Sequence, residues 1–440
     1  MKDDPAVWRP RYLTTGHKFI VAFAIALVWF VLTWYAASPW IDDLAREVSR
    51  PAALTVVMLI ALIPGFMNAF LVAGLLLDRR PPYAPLARYP PISLLIAAYN
   101  EEASIRETVQ SVMDQGYPGE WELLVLDDGS TDKTVSVLQS ITCPQLRIVQ
   151  AAHRGKAPAL NEGLDRARYD WIVTLDADTY LFPESLARLV ARICRDPPNT
   201  AAVAGAVLAK NSRLNWITRM QEWDYFHGIA SVKRLQSLYQ GTLVAQGAFS
   251  VFRKAAIREV GGWPQTIGED IVQTWALLER GYRVGFAENA VAFTTVPTTY
   301  RGFFRQRRRW ARGLIEAFKA HPRVLVLPRI TTMFIYWNAL FPLMDSLYLL
   351  LFIPGMIAAL FGYYYIAGPM TLAVVPLTLL INGVMFRVQR RMFEERGLSV
   401  RRNLGGFLVY IFAFQLVMAP ASIAGYLAEL AGLRKGWGTK

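Results

Sequence analysis

The chain has 440 residues, of which 54% are hydrophobic, a high share for a soluble protein. Its formal net charge of +13 is typical of proteins that bind nucleic acid, an anionic membrane surface or an acidic substrate. The 2 cysteines and 4 histidines lack the pairing or spacing of a ligand set, which excludes a disulfide framework and a zinc site.

Two apolar runs lie near the N-terminus, at 19–38 and 54–77. Each has about the 20 residues that a helix needs to cross a bilayer. The first could instead be a signal peptide, but its apolar length exceeds that of a usual signal sequence. Basic residues lie before the first run and after the second, with acids between the runs, so the positive-inside rule places both flanks in the cytoplasm.

Between residues 90 and 299, short apolar strands alternate with amphipathic helices. We expect strands at 92–98, 121–126, 146–150 and 171–175, and helices at 104–115, 130–140 and from 156 onward. This alternation predicts a parallel α/β sheet, in which ligands bind beyond the carboxyl ends of the strands. The first strand is not followed by a glycine-rich dinucleotide motif or a P-loop, which disfavours an oxidoreductase or an NTPase.

Polar residues follow three of the expected strands, as Tyr99-Asn-Glu101, Asp128 with its neighbours, and Asp176-Ala-Asp178. Asp176 and Asp178 would share one face of an extended segment. Two carboxylates there suit Mg²⁺ or Mn²⁺, which take their remaining ligands from phosphate and water. A solvated turn is the simpler interpretation of the same motif.

Asp128 and Lys156 each allow two interpretations. Asp128 lies in an Asp-Asp-Gly-Ser turn that caps the next helix, but its carboxylate could also accept a hydrogen bond from a nucleobase. Lys156 opens a helix, where a lysine and the free N–H groups suit a diphosphate, although it could be an ordinary surface residue.

Gly268-Glu269-Asp270 precedes an apolar helical run at 271–279. Acids at this position stabilise a helix N-terminus through the helix dipole. Alternatively, one carboxylate acts as a general base beside a reacting hydroxyl.

Six arginines and no acid occur in the run 301–313, which contains Gln306, Arg309 and Trp310. Its aromatic and aliphatic residues are spaced for one side of a helix, which predicts an amphipathic helix at the cytoplasmic membrane face. The arginines could serve lipid headgroups alone. Arg309 could also bind a diphosphate, and the indole of Trp310 could stack on a sugar ring.

The C-terminal region begins with an almost uncharged stretch at 331–386, in which Asp345 is the only acid. Gly368-Pro369 is the expected outer turn between two spans, and the arginine-rich loop 387–403 is expected in the cytoplasm. A last apolar run covers 404–433. Three crossings would leave the basic C-terminus outside, against the charge rule, so one apolar piece is interfacial or re-entrant, or turns back near Pro420.

The ordered motifs Ala-Tyr-Asn-Glu, Asp-Asp-Gly-Ser, Gly-Lys-Ala, Asp-Ala-Asp, Gly-Glu-Asp and Gln-Arg-Arg-Arg-Trp resemble those of the family-2 inverting glycosyltransferases, specifically the processive membrane polysaccharide synthases. The resemblance implies a GT-A-like α/β nucleotide-diphospho-sugar transferase domain with an α-helical transmembrane region. It divides the chain into two N-terminal spans (1–80), a cytoplasmic catalytic domain (81–299), an interface helix (300–330) and a C-terminal membrane region (331–440).

The resemblance also implies roles for individual residues. Tyr99, Glu101 and Asp128 would line the uridine pocket, Asp176 would lie near the ribose or the metal, and Asp178 would ligate Mg²⁺ or Mn²⁺.

In the same family pattern, Lys156 and Arg309 would contact the diphosphate, and Asp270 would be the base that deprotonates the acceptor. The acceptor-binding residues would be Glu269, Gln306 and Trp310. Gln246-Gly247 stands where relatives have Ser-Gly or Cys-Gly, which leaves the acceptor contact there open.

Size and arrangement are most similar to the bacterial poly-β-1,6-N-acetylglucosamine synthases of biofilm matrix. The tail Trp-Gly-Thr-Lys at 437–440 instead resembles that of hyaluronan synthases. We expect a UDP-sugar donor, UDP-N-acetylglucosamine above others, a growing polysaccharide that leaves across the bacterial inner membrane, and a small membrane subunit as a further partner.

The alternatives are a hyaluronan-, chitin- or cellulose-type synthase and a non-processive transferase to a lipid carrier. A membrane-tethered nucleic-acid binder would show steep salt-dependent affinity and no UDP binding, and we expect no nucleic-acid partner. A pure transporter would leave the α/β segment without a role.

Overall fold

The computed structural model describes residues 13–80, 83–368, 371, 374–398 and 403–434. The tail motif at 437–440, the basic residues before 13, Pro369 of the expected outer turn and part of the loop 387–403 lie outside the described residues.

Two antiparallel helical segments precede the α/β domain. They are α1 (Thr15–Glu47) and a second segment made of α2 (Arg50–Val57), a π-helical turn (Met58–Leu62) and α3 (Ile63–Leu77). The two predicted apolar runs therefore form helices, and each helix extends beyond the apolar run that predicted it.

Within the described residues, eight strands form one sheet in the order β3-β2-β1-β4-β7-β6-β8-β5. The strands are β1 (Ile92–Ala98), β2 (Trp121–Asp127), β3 (Leu146–Gln150), β4 (Trp171–Leu175), β5 (Thr179–Leu181), β6 (Thr200–Ala209), β7 (Phe249–Arg253) and β8 (Arg283–Thr294). The strands predicted at 92–98, 146–150 and 171–175 are confirmed.

The prediction of a parallel sheet holds for β1 to β4 and for the pair of β6 and β8, but the sheet as a whole is mixed. Strands β1 to β4 pair in parallel, whereas β7 runs antiparallel to both β4 and β6, and β5 runs antiparallel to β8. The first half consists of consecutive strand–helix–strand units, which require parallel pairing. The second half is joined by longer connections, which remove that requirement.

The domain helices are α4 (Ile105–Met113), α5 (Thr134–Gln139), α6 (Lys156–Arg166), α7 (Ser185–Arg195), α8 (Trp216–Trp223), α9 (Val232–Leu238), α10 (Lys254–Glu259), α11 (Glu269–Glu279) and α12 (Tyr300–Ala320). A π-helical segment, Asp224–Ser231, joins α8 to α9, and a 3₁₀ turn, Pro322–Val326, follows α12.

The basic run 301–313 lies within α12, as the spacing predicts. Phe303 and Leu314 are buried on the face that packs against the domain. Trp310 lies on the same side by helical periodicity, yet its side chain is 39% exposed. The apolar side of α12 is therefore buried against the domain at Phe303 and Leu314, whereas the Trp310 side chain between them is exposed.

The C-terminal region contains α13 (Thr332–Leu347), a π-helical turn (Tyr348–Phe352), α14 (Ile353–Leu360), α15 (Val374–Glu395) and α16 (Leu404–Leu430). Among the described residues, four helices are long and apolar enough to cross a membrane: Thr15–Glu47, Arg50–Leu77, Thr332–Leu360 and Leu404–Leu430.

Ion pairs and hydrogen bonds fix one end of these helices to the α/β domain. The carboxylate of Asp78, after α3, accepts from Arg234 of α9 at 2.6 Å. Tyr239 donates its hydroxyl to the Lys18 carbonyl in α1 at 3.3 Å, and its own carbonyl accepts from Thr331 before α13 at 3.0 Å. The helical bundle is thereby anchored to the domain at three points.

Candidate active site

Three strand ends meet because β2, β1 and β4 are neighbours in the sheet. The loops after β1 and β2 are joined by hydrogen bonds: the backbone N–H of Asn100 donates to Ser130 Oγ at 3.0 Å, and that of Glu101 to Thr134 Oγ1 at 2.8 Å. Parallel strands of an α/β sheet form their ligand cleft at this edge.

Asp176 and Asp178 follow β4, and both are partly exposed, whereas Ala177 between them is buried. The chain turns here, because the backbone N–H of Thr179 donates to the Asp176 carbonyl at 3.0 Å, so the prediction of an extended segment is wrong and the turn interpretation is confirmed. Burial, together with the nearby carboxylates of Asp176 and Glu101, raises the pKa of Asp178 to about 6. A cation bound at Asp178 would stabilise the charged form of this carboxyl.

Lys156 joins this strand end to the start of α11. Its Nζ lies 2.6 Å from Asp176 Oδ1 and 3.1 Å from Glu269 Oε1. Burial opposes the charge on the ammonium, but Asp176 and Glu269 outweigh that effect and raise the pKa of Lys156. A permanently charged lysine at a helix N-terminus is suited to bind a phosphate group.

Gly247 lies directly beside that ammonium. A Cβ atom added at Gly247 would be 2.6 Å from Lys156 Nζ and 3.7 Å from Asp176 Oδ1. The glycine thus leaves open the space in front of the lysine, which is where a ligand phosphate would have to approach.

Asp128 is buried, and its carboxylate shapes the loop that enters α6. Its oxygens accept the backbone N–H groups of Arg154 at 2.7 Å and Gly155 at 2.8 Å, and His153 Nδ1 lies 2.8 Å away. Each carboxylate oxygen has two lone pairs, so these bonds leave capacity for a further donor. The ring of Tyr99 stacks on His153 at 4.2 Å, which places an aromatic surface beside Asp128.

The turn Gly268-Glu269-Asp270 is held against α12. The backbone N–H of Gly268 donates to Glu316 Oε2 at 2.9 Å. Asp270 Oδ1 accepts the N–H of Ile271 at 2.8 Å, so part of the carboxylate caps α11. The helix-cap interpretation therefore has a physical basis, and the second oxygen is compatible with a further role.

An aromatic and cationic cluster surrounds Trp310. The guanidinium of Arg307 lies 4.1 Å from the centre of the Trp310 ring and 2.6 Å from the carboxylate of Asp224. The ring of Tyr225 lies 6.4 Å from that of Trp310. Arg307 and Asp224 are both buried, so this ion pair fixes α12 against the π-helical segment.

Tyr225 connects this cluster to the strand end. Burial raises the pKa of its phenol to about 12, with opposite contributions from Arg307 and Asp224. Among the smaller contributions to this pKa, Asp178 acts to raise it and Arg309 to lower it, so both lie within electrostatic range of Tyr225. The acidic strand tips and the basic helix therefore converge on one region.

Some members of this region were missed by the sequence analysis, chiefly Tyr225, Asp224 and Lys233. Burial lowers the pKa of Lys233 to about 7, although nearby Asp270 opposes the shift. Tyr225 and Asp224 occur in the segment Trp-Asp-Tyr-Phe-His. The single acid among aromatic residues was the one sequence feature that could have indicated them.

Two glutamine oxygens in the region have open hydrogen-bonding capacity. Within the described residues, the Oε1 atoms of Gln246 and Gln306 are buried and accept no hydrogen bond. The Nε2 atom of Gln246 donates to the Gly205 carbonyl at 2.6 Å, which fixes its orientation. Because an unpaired buried acceptor is costly, both oxygens are suited to a hydroxyl-bearing ligand.

Comparisons with known proteins agree with this arrangement. Residues 93–261 match the family described as glycosyl transferase family 2. Over 225 residues the chain is 33% identical to the poly-β-1,6-N-acetyl-D-glucosamine synthases of Staphylococcus epidermidis and Staphylococcus aureus (strain COL), covering 50% of this chain and 54% of each relative. The chain thus spans about half the length of the curated relatives it matches.

Among solved structures, a mannosyltransferase from Pyrobaculum calidifontis in complex with GDP-Man and Mn²⁺ aligns with a TM-score of 0.53 and 19% identity, over 94% of this chain and 99% of that one. This likeness shows a shared fold. Together with the family match, it confirms the predicted GT-A-like domain with helical additions. Residues 93–261 therefore match the glycosyl transferase family 2, and the chain is similar over half of its length to bacterial poly-β-1,6-N-acetyl-D-glucosamine synthases.

Proposed function

We propose that the chain is a processive, inverting glycosyltransferase that builds a β-linked polysaccharide from a UDP-sugar. UDP-N-acetylglucosamine is the proposed donor and poly-β-1,6-N-acetylglucosamine the proposed product, because the named staphylococcal relatives make that polymer and share 33% identity over the matched half. The product would pass across the bacterial inner membrane from a catalytic domain on the cytoplasmic side.

The observation that carries this proposal is the position of Lys156 between Asp176 and Glu269, with Gly247 leaving room in front of it. A diphosphate that replaced one of these carboxylates at the ammonium would lie between the acidic strand end and the start of α11. Arg309 would supply a second positive charge. In an inverting transfer the acceptor attacks the sugar from the side opposite the leaving diphosphate. A diphosphate held at Lys156 would leave the other side of the sugar open to the acceptor.

The nucleotide would extend from that junction towards Tyr99, Glu101 and Asp128. The exposed ring of Tyr99 offers a surface for base stacking, and Asp128 retains lone pairs for a uracil N–H. Glu101, whose carboxylate accepts from Ser104 Oγ at 2.8 Å, lies at the same strand end and would complete the uridine pocket.

The residues present fit a divalent cation, with Asp178 as the protein ligand and Asp176 adjacent. The negative charge near Asp178 favours a cation there. Within the described residues, no group of three or more histidine, cysteine or acidic side chains could hold a metal ion by itself, so the cation would need ligands from the substrate. Mg²⁺ and Mn²⁺ commonly take their other ligands from phosphate and water. The cation would neutralise the charge that builds on the departing diphosphate.

Asp270 would act as the general base. The acceptor hydroxyl would lose its proton to the Asp270 carboxylate while its oxygen bonds to the sugar C1, and the bond from C1 to the diphosphate oxygen would break, releasing UDP. A single displacement inverts the α-linkage of the donor to β. The acceptor sugar would stack on Trp310 and use Glu269 and the open Oε1 of Gln306.

The membrane region would carry the polymer outward. Asn338 and Asp345 are already satisfied by hydrogen bonds, since Asn338 donates to the Phe334 carbonyl at 2.7 Å and Asp345 accepts from Gln415 at 2.7 Å and Tyr426 at 3.0 Å. These polar groups therefore do not require an aqueous path for their stability. A small membrane subunit remains a proposed partner.

The test is purified full-length protein in lipid nanodiscs with radiolabelled UDP-N-acetylglucosamine and Mg²⁺ or Mn²⁺. We expect metal-dependent release of UDP and a long product that a β-1,6-specific N-acetylglucosaminidase degrades. A polymer resistant to that enzyme would indicate a hyaluronan-, chitin- or cellulose-type activity. Transfer of one sugar to lipid would support the non-processive alternative. If the protein released UDP from none of the UDP-sugars tested, the proposal would be overturned.

A further inference from the structure

The helix α16 has the length and apolarity of a membrane span, yet both of its ends contact the catalytic domain. Its 27 residues extend about 40 Å, enough to cross a bilayer if the helix stood upright. The two ends of a crossing helix must emerge on opposite sides of the membrane. If α16 crossed the bilayer, only one of its ends could contact the catalytic domain.

The start of α16 is fixed to α8. Trp223 donates its indole N–H to the Asn403 carbonyl at 3.0 Å, and Asn403 Nδ2 donates to Glu222 Oε2 at 2.6 Å and to the Arg219 carbonyl at 3.1 Å. Asn403 also caps the helix by accepting the N–H of Gly406 at 3.0 Å. Asn403 is only 8% exposed, so these are interior contacts with a domain helix.

The end of α16 is fixed to α12. The buried carboxylate of Glu429 lies 3.1 Å from Arg312 and 3.3 Å from Lys319. Arg312 also donates to the Leu433 carbonyl at 2.8 Å, which extends the contact beyond the helix. Helix α12 itself lies on the domain, since His321 at its end is 2.7 Å from Glu279 of α11.

Between its ends, α16 packs closely along α12. A Cβ atom added at Gly425 would lie 2.5 Å from the Arg308 carbonyl and 2.6 Å from the Ala311 side chain. Ala421, one turn before Gly425 on the same face, is fully buried. Small residues on this face therefore allow the two helices to approach closely.

The opposite face of α16 is apolar and exposed. Its exposed large residues are Leu404, Leu408, Phe412, Leu416, Leu427 and Leu430. The first four recur every fourth position and form one stripe. An apolar stripe of this length opposite a docked face fits a helix that lies in the membrane surface with one side in lipid.

The remaining membrane helices behave differently, because their far ends meet one another away from the domain. Trp40 at the far end of α1 donates to the Tyr365 carbonyl at 2.9 Å, and Gly355 of α14 packs against Ile366. Helix α15 then returns the chain: Gln389 near its end donates to Ser231 Oγ at 2.7 Å, next to α9.

We propose that α16 does not cross the bilayer but lies along the membrane face of the catalytic domain with its leucine stripe in lipid. Helix α15, which is less apolar, is the return span. The loop after α15 and the C-terminus then both lie on the side of the catalytic domain. Arg434 joins Arg79 and the other basic flanks on one side, as the positive-inside rule requires.

The test compares two markers in the full chain expressed in bacterial membranes. Cys143 and Cys194 are replaced by alanine. Glu395→Cys at the end of α15 and Tyr363→Cys in the far connection, both exposed positions, are labelled separately with a membrane-impermeant maleimide. A protease-cleavable tag follows Lys440. Spheroplasts expose the outer side, and inside-out vesicles expose the cytoplasmic side.

We expect Tyr363→Cys to react in spheroplasts, and Glu395→Cys to react and the tag to be cleaved only in inside-out vesicles. Cleavage of the tag in intact spheroplasts would mean that α16 crosses. Reaction of Glu395→Cys in spheroplasts would mean that α15 does not. Either result overturns the proposal, and exposed Arg391→Cys replaces Glu395→Cys if that thiol does not react in either preparation.

Discussion

The backbones of Gly268 and Gly313 are in direct contact. A Cβ atom added at Gly268 would lie 2.5 Å from the Cα of Gly313, and one added at Gly313 would lie 2.8 Å from the Cα of Gly268. Gly268 precedes the two acids that begin α11, and Gly313 lies one turn after Trp310 in α12. The pair therefore sets the distance between the proposed base and the proposed acceptor platform.

Replacing Gly268 by alanine should displace α12 from α11, because the obstructing atoms belong to backbone and cannot rotate away. We expect a loss of about 1–3 kcal/mol in stability, the usual range for overpacking, and at least a tenfold fall in kcat. Gly383→Ala is the control, since a Cβ there meets no described atom within 4 Å. Equal activity of both variants would contradict this role of the contact.

At Gly247 the obstructed atom is the end of a flexible side chain, so the consequence should differ. An alanine there would push Lys156 Nζ away from its present position, 2.6 Å from the added Cβ, without straining backbone. We expect unchanged thermal stability but a KM for the sugar nucleotide raised roughly tenfold, equivalent to about 1.4 kcal/mol of lost binding. Lys156→Met should raise it further. A normal KM for Gly247→Ala with a raised KM for Lys156→Met would show that the space is not used.

The parts of the fold that the sequence predicted are those fixed by local pattern. Strands β1 and β4 are short buried runs between turn residues, β3 is a short, partly exposed edge strand, and α6 begins at Lys156, after a glycine with φ of 99°. The antiparallel strands were missed because their pairing depends on tertiary contacts. Strand β5, with three residues, is too short to carry a period of its own.

The candidate site divides in the same way. The position of Asp176 and Asp178 directly after a buried strand was predictable from the sequence, but the turn that holds them there is closed by a backbone hydrogen bond from Thr179 to Asp176. The contacts of Lys156 with Glu269 and of Gly268 with Gly313 join segments far apart in the chain, and no local spacing encodes them. Tyr225 was missed because aromatic residues in helices usually fill cores.

Asp270→Asn should separate catalysis from folding and donor binding. The asparagine oxygen can still accept the Ile271 N–H, so the start of α11 should be retained. We expect kcat to fall by about 10²-fold or more, the usual contribution of a general base, with UDP affinity by calorimetry unchanged. Asp165→Asn, whose side chain is 78% exposed, is the matched control. Full-rate polymerisation by Asp270→Asn would refute the assignment of the base.

The buried pair of Arg307 and Asp224 should be costly to break from either side. Breaking one partner leaves an uncompensated buried charge, for which about 3–5 kcal/mol is typical. We expect Arg307→Met and Asp224→Asn each to lower the unfolding free energy in that range, and the double variant to lose less than the sum. Asp43→Asn, in the exposed pair with Arg46, should cost at most about 1 kcal/mol. Additive losses in the double variant would mean that the pair is not coupled.

The ring of His227 should make the protein sensitive to acid. It is 1% exposed and stacks on Trp223 at 5.1 Å, and within the described residues neither ring nitrogen has a hydrogen-bond partner. Burial alone lowers its pKa from 6.5 to about 3. The unfolded chain therefore binds a proton between these values that the folded protein excludes, so stability is full above pH 6.5 and falls as the pH decreases towards 3.

At pH 5 this single group should cost about 2 kcal/mol, since the pH lies about 1.5 units below the unfolded pKa. His227→Phe keeps an aromatic ring between Trp223 and Tyr410 and removes the titration. We expect the wild-type melting temperature in detergent to fall more between pH 7 and pH 5 than that of His227→Phe. Parallel pH profiles for the two proteins would show that His227 is hydrated or hydrogen-bonded in solution, and that its burial does not penalise the charge.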